Sequence, residues 1–413
     1  MFDVQRSPSL KLTRMPSPSL ASLFLSLPSL TVMLAISLAL APNRTAAAPA
    51  TLATSLTRTG PILEDSLVLE ARSALRRGAG WLRTRQQGDG TWGEHPALTS
   101  LAALALYNLP EGVAHPETTA AADRAADWLV RRESAQPEVA AGAAGPTGQY
   151  AVLSRAVGTW AVIRRQRPED FTMLKRVRNS LWPMQIRVDS DLGCGGFRPV
   201  PGAPPDLVTT GYVLETLYLT DFLDRPPLAQ GDAAEEEARG GYLTARRFLA
   251  ACWVTPAPTE GAPARPRFQS RPAAASGDEA ARQTEALLTA VGVKSLLYAG
   301  VAPGDPILPE ALARLGRELE PTGFLERGGP GYFTWLHATV QALQAAEHSP
   351  AWAAAKPAAP PGTRAWRERV ALELLRRQNG DGSWRQVSPD GWETRPELST
   401  AYALLALELC LRE

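Results

Sequence analysis

One phrase occurs near both ends of the chain. Residues 80–92 read GWLRTRQQGDGTW, and residues 374–384 read LLRRQNGDGSW. In each, a Gln is followed four residues later by Gly and six later by Trp: Gln86, Gly90 and Trp92, then Gln378, Gly382 and Trp384. An amphipathic helical pattern precedes each copy. A second, more apolar helix follows: PALTSLAALAL (96–106) and PELSTAYALLAL (396–407). A fixed phrase at matching positions of helix pairs marks a repeat architecture, because one hairpin cannot bury its own apolar face and must stack on the next.

Other copies are worn. SLWPMQIRVDSDLGCGGF (180–197) keeps Gln185 and ends with Phe197 where Trp would stand. Pattern reading gives about six pairs. They fall at 65–86 with 97–109, 117–133 with 148–166, 169–187 with 206–223, 241–253 with 279–299, 306–319 with 332–347, and 363–378 with 397–411. Strand signals are nearly absent. Gly, Pro and Asp gather between the pairs, where helices stop and start. The stretches 224–241 and 255–280 are rich in Pro, Gly and Ala and read as exposed, mobile inserts. The first helix of each pair carries the arginines and should face solvent on one side. The second should be buried on most sides. Six such pairs closing on themselves predict an all-α fold, an (α/α)6 toroid over residues 65–413. An open solenoid is the competing geometry.

The chain has 413 residues, with 43 Lys+Arg against 42 Asp+Glu, so its charge balance gives no electrostatic case for a nucleic-acid partner. Its three cysteines, Cys194, Cys252 and Cys410, are too dispersed for a disulfide framework or a metal knuckle. Arg6, Lys11 and Arg14 precede an apolar run at residues 20–41, and TAAAPA follows with an Ala-x-Ala cleavage pattern. Residues 1–50 therefore read as a secretory signal, with 51–64 as a linker. The run is also long enough to span a bilayer, so an uncleaved anchor is the alternative. An exported location follows, periplasmic or extracellular. Membrane contact is expected only through residues 20–41, if that segment is left uncleaved.

The Gln-x3-Gly-x-Trp phrase resembles the QW motif of squalene and oxidosqualene cyclases. The six-pair layout resembles the wider superfamily that includes protein prenyltransferase β subunits, built from the prenyltransferase and squalene oxidase repeat and folded as an α/α toroid. The resemblance implies that Gln86, Gly90, Trp92, Gln378, Gly382 and Trp384 are structural staples, each Gln amide bonding the start of the next outer helix and each Trp ring stacking on it. An amide and an indole have no acid–base role near neutral pH, which points the same way.

The resemblance also implies an acid. A cyclase of this kind protonates an alkene from the middle carboxyl of an Asp-x-Asp-Asp-Thr-Ala segment opening an inner helix. The counterpart here is PDLVTTGYVLETL: Asp206 matches the first Asp, Val208 falls on the proton donor and Thr209 on the last Asp. Val208 cannot donate a proton, and Asp206 reads as a helix N-cap. Zinc, as in protein prenyltransferases, would need Asp191, Cys194 and His337, but both spacings depart from that pattern, so no metal or other cofactor is expected. Asp206 and His337 are the remaining weak catalytic candidates. Inner-helix periodicity points Trp160, Tyr212, Tyr332, Trp335, His337 and Tyr402 toward a central apolar cavity suited to an isoprenoid-like small molecule. Three functions stand: a binding or scaffold protein without the proton donor, an isoprenoid cyclase with a differently placed acid, and a carbohydrate-active toroid using carboxylates such as Asp206, Glu215, Glu285 and Glu397.

Overall fold

The computed structural model describes residues 63–135, 151–225, 228, 233–256, 265–272, 284–302, 304–349, 363–386 and 392–412, all within one compact unit. The expected leader and most of the linker after it lie outside the described residues. In the first hairpin, α1 (Asp65–Thr84) buries Leu67, Ala71, Ala74, Leu75 and Leu82 at helical spacing, while Leu69 on its other side stays exposed. Its partner α2 (Pro96–Tyr107) starts with Pro at the first helical position, where a missing N–H costs nothing, and is buried nearly all round. The division into half-wet outer and dry inner helices repeats along the chain.

The second hairpin pairs α3 (Pro116–Ala135) with an inner helix broken at Thr159 into α4 (Ala151–Gly158) and α5 (Trp160–Arg165). The third pairs α6 (Phe171–Leu181) with α7 (Leu207–Leu219), and the fourth α8 (Ala233–Cys252) with α9 (Glu285–Tyr298). The fifth pairs α10 (Ile307–Glu318) with α12 (Tyr332–Glu347), the short α11 (Phe324–Arg327) lying between them, and the sixth α13 (Thr363–Arg377) with α14 (Pro396–Leu411). The inner helices pack in a closed circuit, α2 on α4, α4 on α7, α7 on α9, α9 on α12, α12 on α14 and α14 back on α2, with α13 against α1 outside. That circuit is a toroid and excludes the open solenoid.

Two expectations need correction. The insert at 224–241 is partly helix, since α8 begins at Ala233. The insert at 255–280 is flanked by a two-stranded ribbon, β1 (Trp253–Val254) paired antiparallel with β2 (Arg267–Phe268). Phe268 lies against Gly292 of α9, where a Cβ would meet its ring, and the Ser270 carbonyl accepts from Leu207 N at the start of α7. Residues 257–264 and 273–280 of that insert lie outside the described residues.

The Gln-Gly-Trp turns hold neighbouring hairpins together. Gln86 Nε2 donates to Gly90 O within its own turn (2.9 Å) and to Ala121 O in α3 (2.7 Å). Gln378 Nε2 donates to Gly382 O and to Ala74 O in α1, both at 2.9 Å. The worn copy does the same, Gln185 Nε2 donating to Gly195 O (3.1 Å) and to Gly241 O in α8 (2.8 Å). The acceptor beyond the turn, Ala121, Ala74 or Gly241, lies inside the next outer helix rather than at its start. Gly90, Gly195 and Gly382 have φ of +96°, +94° and +90°, and each sits against the backbone of that helix, which only a glycine permits. Trp92 and Trp384 are buried, and each indole N–H donates 2.8 Å to a carbonyl of its own outer helix, Leu82 O and Leu374 O. The Trp384 ring also fills the space above Gly78 of α1. The last turn therefore ties the end of the chain to its first helix.

Candidate functional site at the ring axis

Trp160, Tyr212, Glu215, Lys294, His337, Gln341 and Tyr402 all lie in the second or third turn of their inner helices, so they meet at one level of the ring. At the centre is an ion pair in an otherwise apolar wall. Lys294 Nζ is 2.6 Å from Glu215 Oε2 and donates to Gln341 Oε1 at 3.1 Å. Gln341 Nε2 closes the triangle by donating to Glu215 Oε1 at 2.9 Å. Lys294 and Glu215 are buried, and a buried charge survives only when paired and hydrogen-bonded, as these are. The ammonium also lies 4.6 Å from the Tyr212 ring centroid and 5.8 Å from that of Trp160. Those rings stack at 5.6 Å, and Trp160 Nε1 donates to Thr216 Oγ1 at 2.8 Å, which fixes the indole.

Above this triangle, His337 packs on Tyr402, ring centroids 5.4 Å apart. Burial, aided by the charge on Lys294, holds the imidazole well below the usual histidine range, and its Nδ1 has no hydrogen-bond partner among the described residues. Burial likewise pushes the Tyr212 and Tyr402 phenols up. One turn nearer the helix starts, Glu393, in the short turn before α14, reaches across to α12. Its carboxylate accepts from Phe333 N (3.0 Å), Thr334 N (2.5 Å) and Thr334 Oγ1. Burial raises its pKa, against the pull of those three donors. Geometrically it caps α12 from the neighbouring hairpin.

The expected cavity wall divides in two. Trp160, Tyr212, His337 and Tyr402 face the axis. Tyr332 and Trp335 do not: they pack away from it with Phe324 of α11, at 6.0 and 4.9 Å, and the Tyr332 hydroxyl donates to Leu325 O while Arg377 of α13 covers its ring. The reason is helical phase. Thr334, His337 and Gln341 share the inward stripe of α12, and residues 332 and 335 fall on the opposite side. All six aromatic and histidine side chains are buried, at 0–3% exposure.

Asp206 caps α7, accepting from Thr209 N at 2.8 Å and Thr209 Oγ1 at 2.7 Å, and burial raises its pKa. Val208, in the first turn of α7, shares the inward stripe with Tyr212 and Glu215 and stays partly exposed at the mouth of the ring. Glu285 is paired with Arg267 and Arg314, and Glu215 with Lys294. Asp191 accepts from Gly193 N at 2.7 Å, and Cys194 Sγ lies 3.9 Å from Asp189 Oδ1 in a turn against α8, whereas His337 stands on the axis. Among the described residues no three metal-ligating side chains come together.

Sequence reasoning missed the role of Lys294 and missed Glu393. The signal for the first was present: a lone Lys in EALLTAVGVKSLLY and a lone Glu in LVTTGYVLETLYL interrupt two of the most apolar helices. Glu393 precedes its helix in a polar stretch and carries no such mark.

No protein-family model matches the chain, and no curated protein matches it. Among solved structures, it is similar to the type II terpene cyclase MstE from Scytonema. The complex of that enzyme with merosterolic acid A, described as the product, aligns with a TM-score of 0.51 at 14% identity, over 84% of this chain and 99% of that one. The complex with geranylgeranyl dihydroxybenzoate, described as the substrate, aligns with a TM-score of 0.50 at 14% identity over the same shares. A protein from Actinoplanes is 19% identical over 83% of this chain and all of that one, with a TM-score of 0.48. The fold is that of the terpene-cyclase helical toroids.

Proposed function

We propose that this chain is an exported, non-cyclising member of the terpene-cyclase fold, acting as a scaffold whose contact with apolar molecules is confined to the mouth of its ring. The observation that carries the reading is the filled axis: an ammonium paired to Glu215 and Gln341 occupies the ring faces of Tyr212 and Trp160. Protonating an alkene creates a carbocation, which needs both an acid and a vacant, electron-rich space. Here Val208 stands in place of the acid, and a fixed cation stands over the rings. Apolar surface remains at the mouth, where Leu153, Val208 and Leu398 keep partial exposure on the first turns of α4, α7 and α14. The leader-like residues 1–50 support export, and an exported chain is separated from polyprenes made inside cells.

The second reading, a cyclase with a differently placed acid, has buried Glu393 as a candidate beside Asp206. Three donors hold the Glu393 carboxylate as the cap of α12, a structural role that giving up its proton to a substrate would not need, and burial rather than any neighbouring acid is what raises its pKa. The test is incubation of the protein with squalene and chromatography of the extracted lipid. Absence of cyclic product above a protein-free control is expected. A cyclic product that disappears in Glu393→Gln would establish the second reading instead.

A further inference from the structure

Four inner helices converge on one nitrogen. Lys294 Nζ has three N–H bonds: one meets Glu215 Oε2 at 2.6 Å, one Gln341 Oε1 at 3.1 Å, and the aromatic faces of Tyr212 and Trp160 cover the remaining side at 4.6 and 5.8 Å. The cage is itself braced. Gln341 Nε2 holds Glu215 Oε1, Trp160 Nε1 holds Thr216 Oγ1, and Thr216 Oγ1 in turn donates to Tyr212 O at 3.1 Å. One carboxylate, one amide oxygen and two ring faces are the elements by which proteins recognise an ammonium ion.

We infer that Glu215, Gln341, Tyr212 and Trp160 form an ammonium-binding site with Lys294 as its tethered occupant, and that vacating it makes the ring a receptor for free primary alkylammonium ions. The wall residues are fixed by contacts independent of Lys294, so the site keeps its shape when the side chain is shortened. Lys294→Ala removes three methylenes and the nitrogen, a volume matched by n-propylammonium. The free ion restores both the charge and the packing of the lost side chain. The native protein, its site filled, gains nothing from it.

The experiment is thermal unfolding of the parent and of Lys294→Ala in rising n-propylammonium chloride, with 1-propanol and sodium chloride as matched controls. Lys294→Ala is expected to lower Tm by on the order of 5–10 °C, because it leaves a buried carboxylate unpaired. The amine should then raise the variant's Tm saturably, with no such rise for the parent and none with propanol. Equal effects on parent and variant, or equal rescue by propanol, would overturn the inference. Should Lys294→Ala not fold, Lys294→Met keeps the stem and loses the charge. Adding Glu215→Gln should then recover most of the Tm lost in Lys294→Met, and failure to recover it would equally overturn the inference. The inference rests on the axis geometry alone: squalene turnover by the parent would sink the proposed function, while the amine titration tests the cage separately.

Discussion

His337 is buried on α12 with Tyr402 facing it from α14 and the charge of Lys294 acting on it from α9, while Tyr212 and Glu215 on α7 act on Tyr402. Burial and the neighbouring ammonium disfavour its proton in the folded state, so its folded pKa lies below the unfolded value of 6.5. Protonation therefore favours unfolding. The stability that neutral His337 permits is fully present above pH 6.5 and is lost as pH falls toward the folded pKa, by up to about 1.4 kcal/mol for each pH unit. Glu393, whose folded pKa is raised, acts in the opposite sense, so the histidine is isolated by comparison. Urea midpoints measured from pH 7.5 to 5 should fall more steeply for the parent than for His337→Leu. Parallel profiles would show that the imidazole is not what the acid limb reports. The sequence placed His337 on an inner helix by its apolar setting. It could not place Lys294 beside it, because the two are brought together by packing between helices that are distant along the chain.

At the scale of elements, the Gln-Gly-Trp turns join the hairpins, and their Trp residues are the largest fully buried parts of the joint. Trp92→Ala and Trp384→Ala should each cost roughly 2–4 kcal/mol of unfolding free energy, as truncation of a buried aromatic does. Denaturant titration of both variants checks this, and parental stability in both would refute the staple role. The hairpins were legible in the sequence to within a few residues, because period and helix-start residues are local signals. The start of α8 was not, since the Gly240–Gly241 pair, which depresses helix propensity, falls within the helix and reads as a break before it. The glycine is there for a packing reason: a Cβ at Gly241 would collide with the Trp182 ring, and the Gly241 carbonyl receives Gln185. The worn third copy thus keeps the bond of the motif while moving the indole from the end of the phrase to Trp182 before it.

For the molecule as a whole, closure is set by the sixth hairpin meeting the first. Gln378 reaches Ala74 O and Arg77, Trp384 covers Gly78, and α14 packs on α1 and α2. The repeat and its six pairs foretold a ring, but not what the ring encloses. Whether inward side chains leave a space depends on how six helices approach one another, a sub-ångström property that helical phase does not encode. In this structure the axis is filled by its own ionic and aromatic side chains. The direct test is to pressurise crystals of the protein with xenon, which enters dry apolar cavities, and to map it by anomalous scattering. The filled axis predicts no xenon among Trp160, Tyr212, His337 and Tyr402. An ordered xenon atom bounded by those four side chains would contradict it and restore the central ligand cavity.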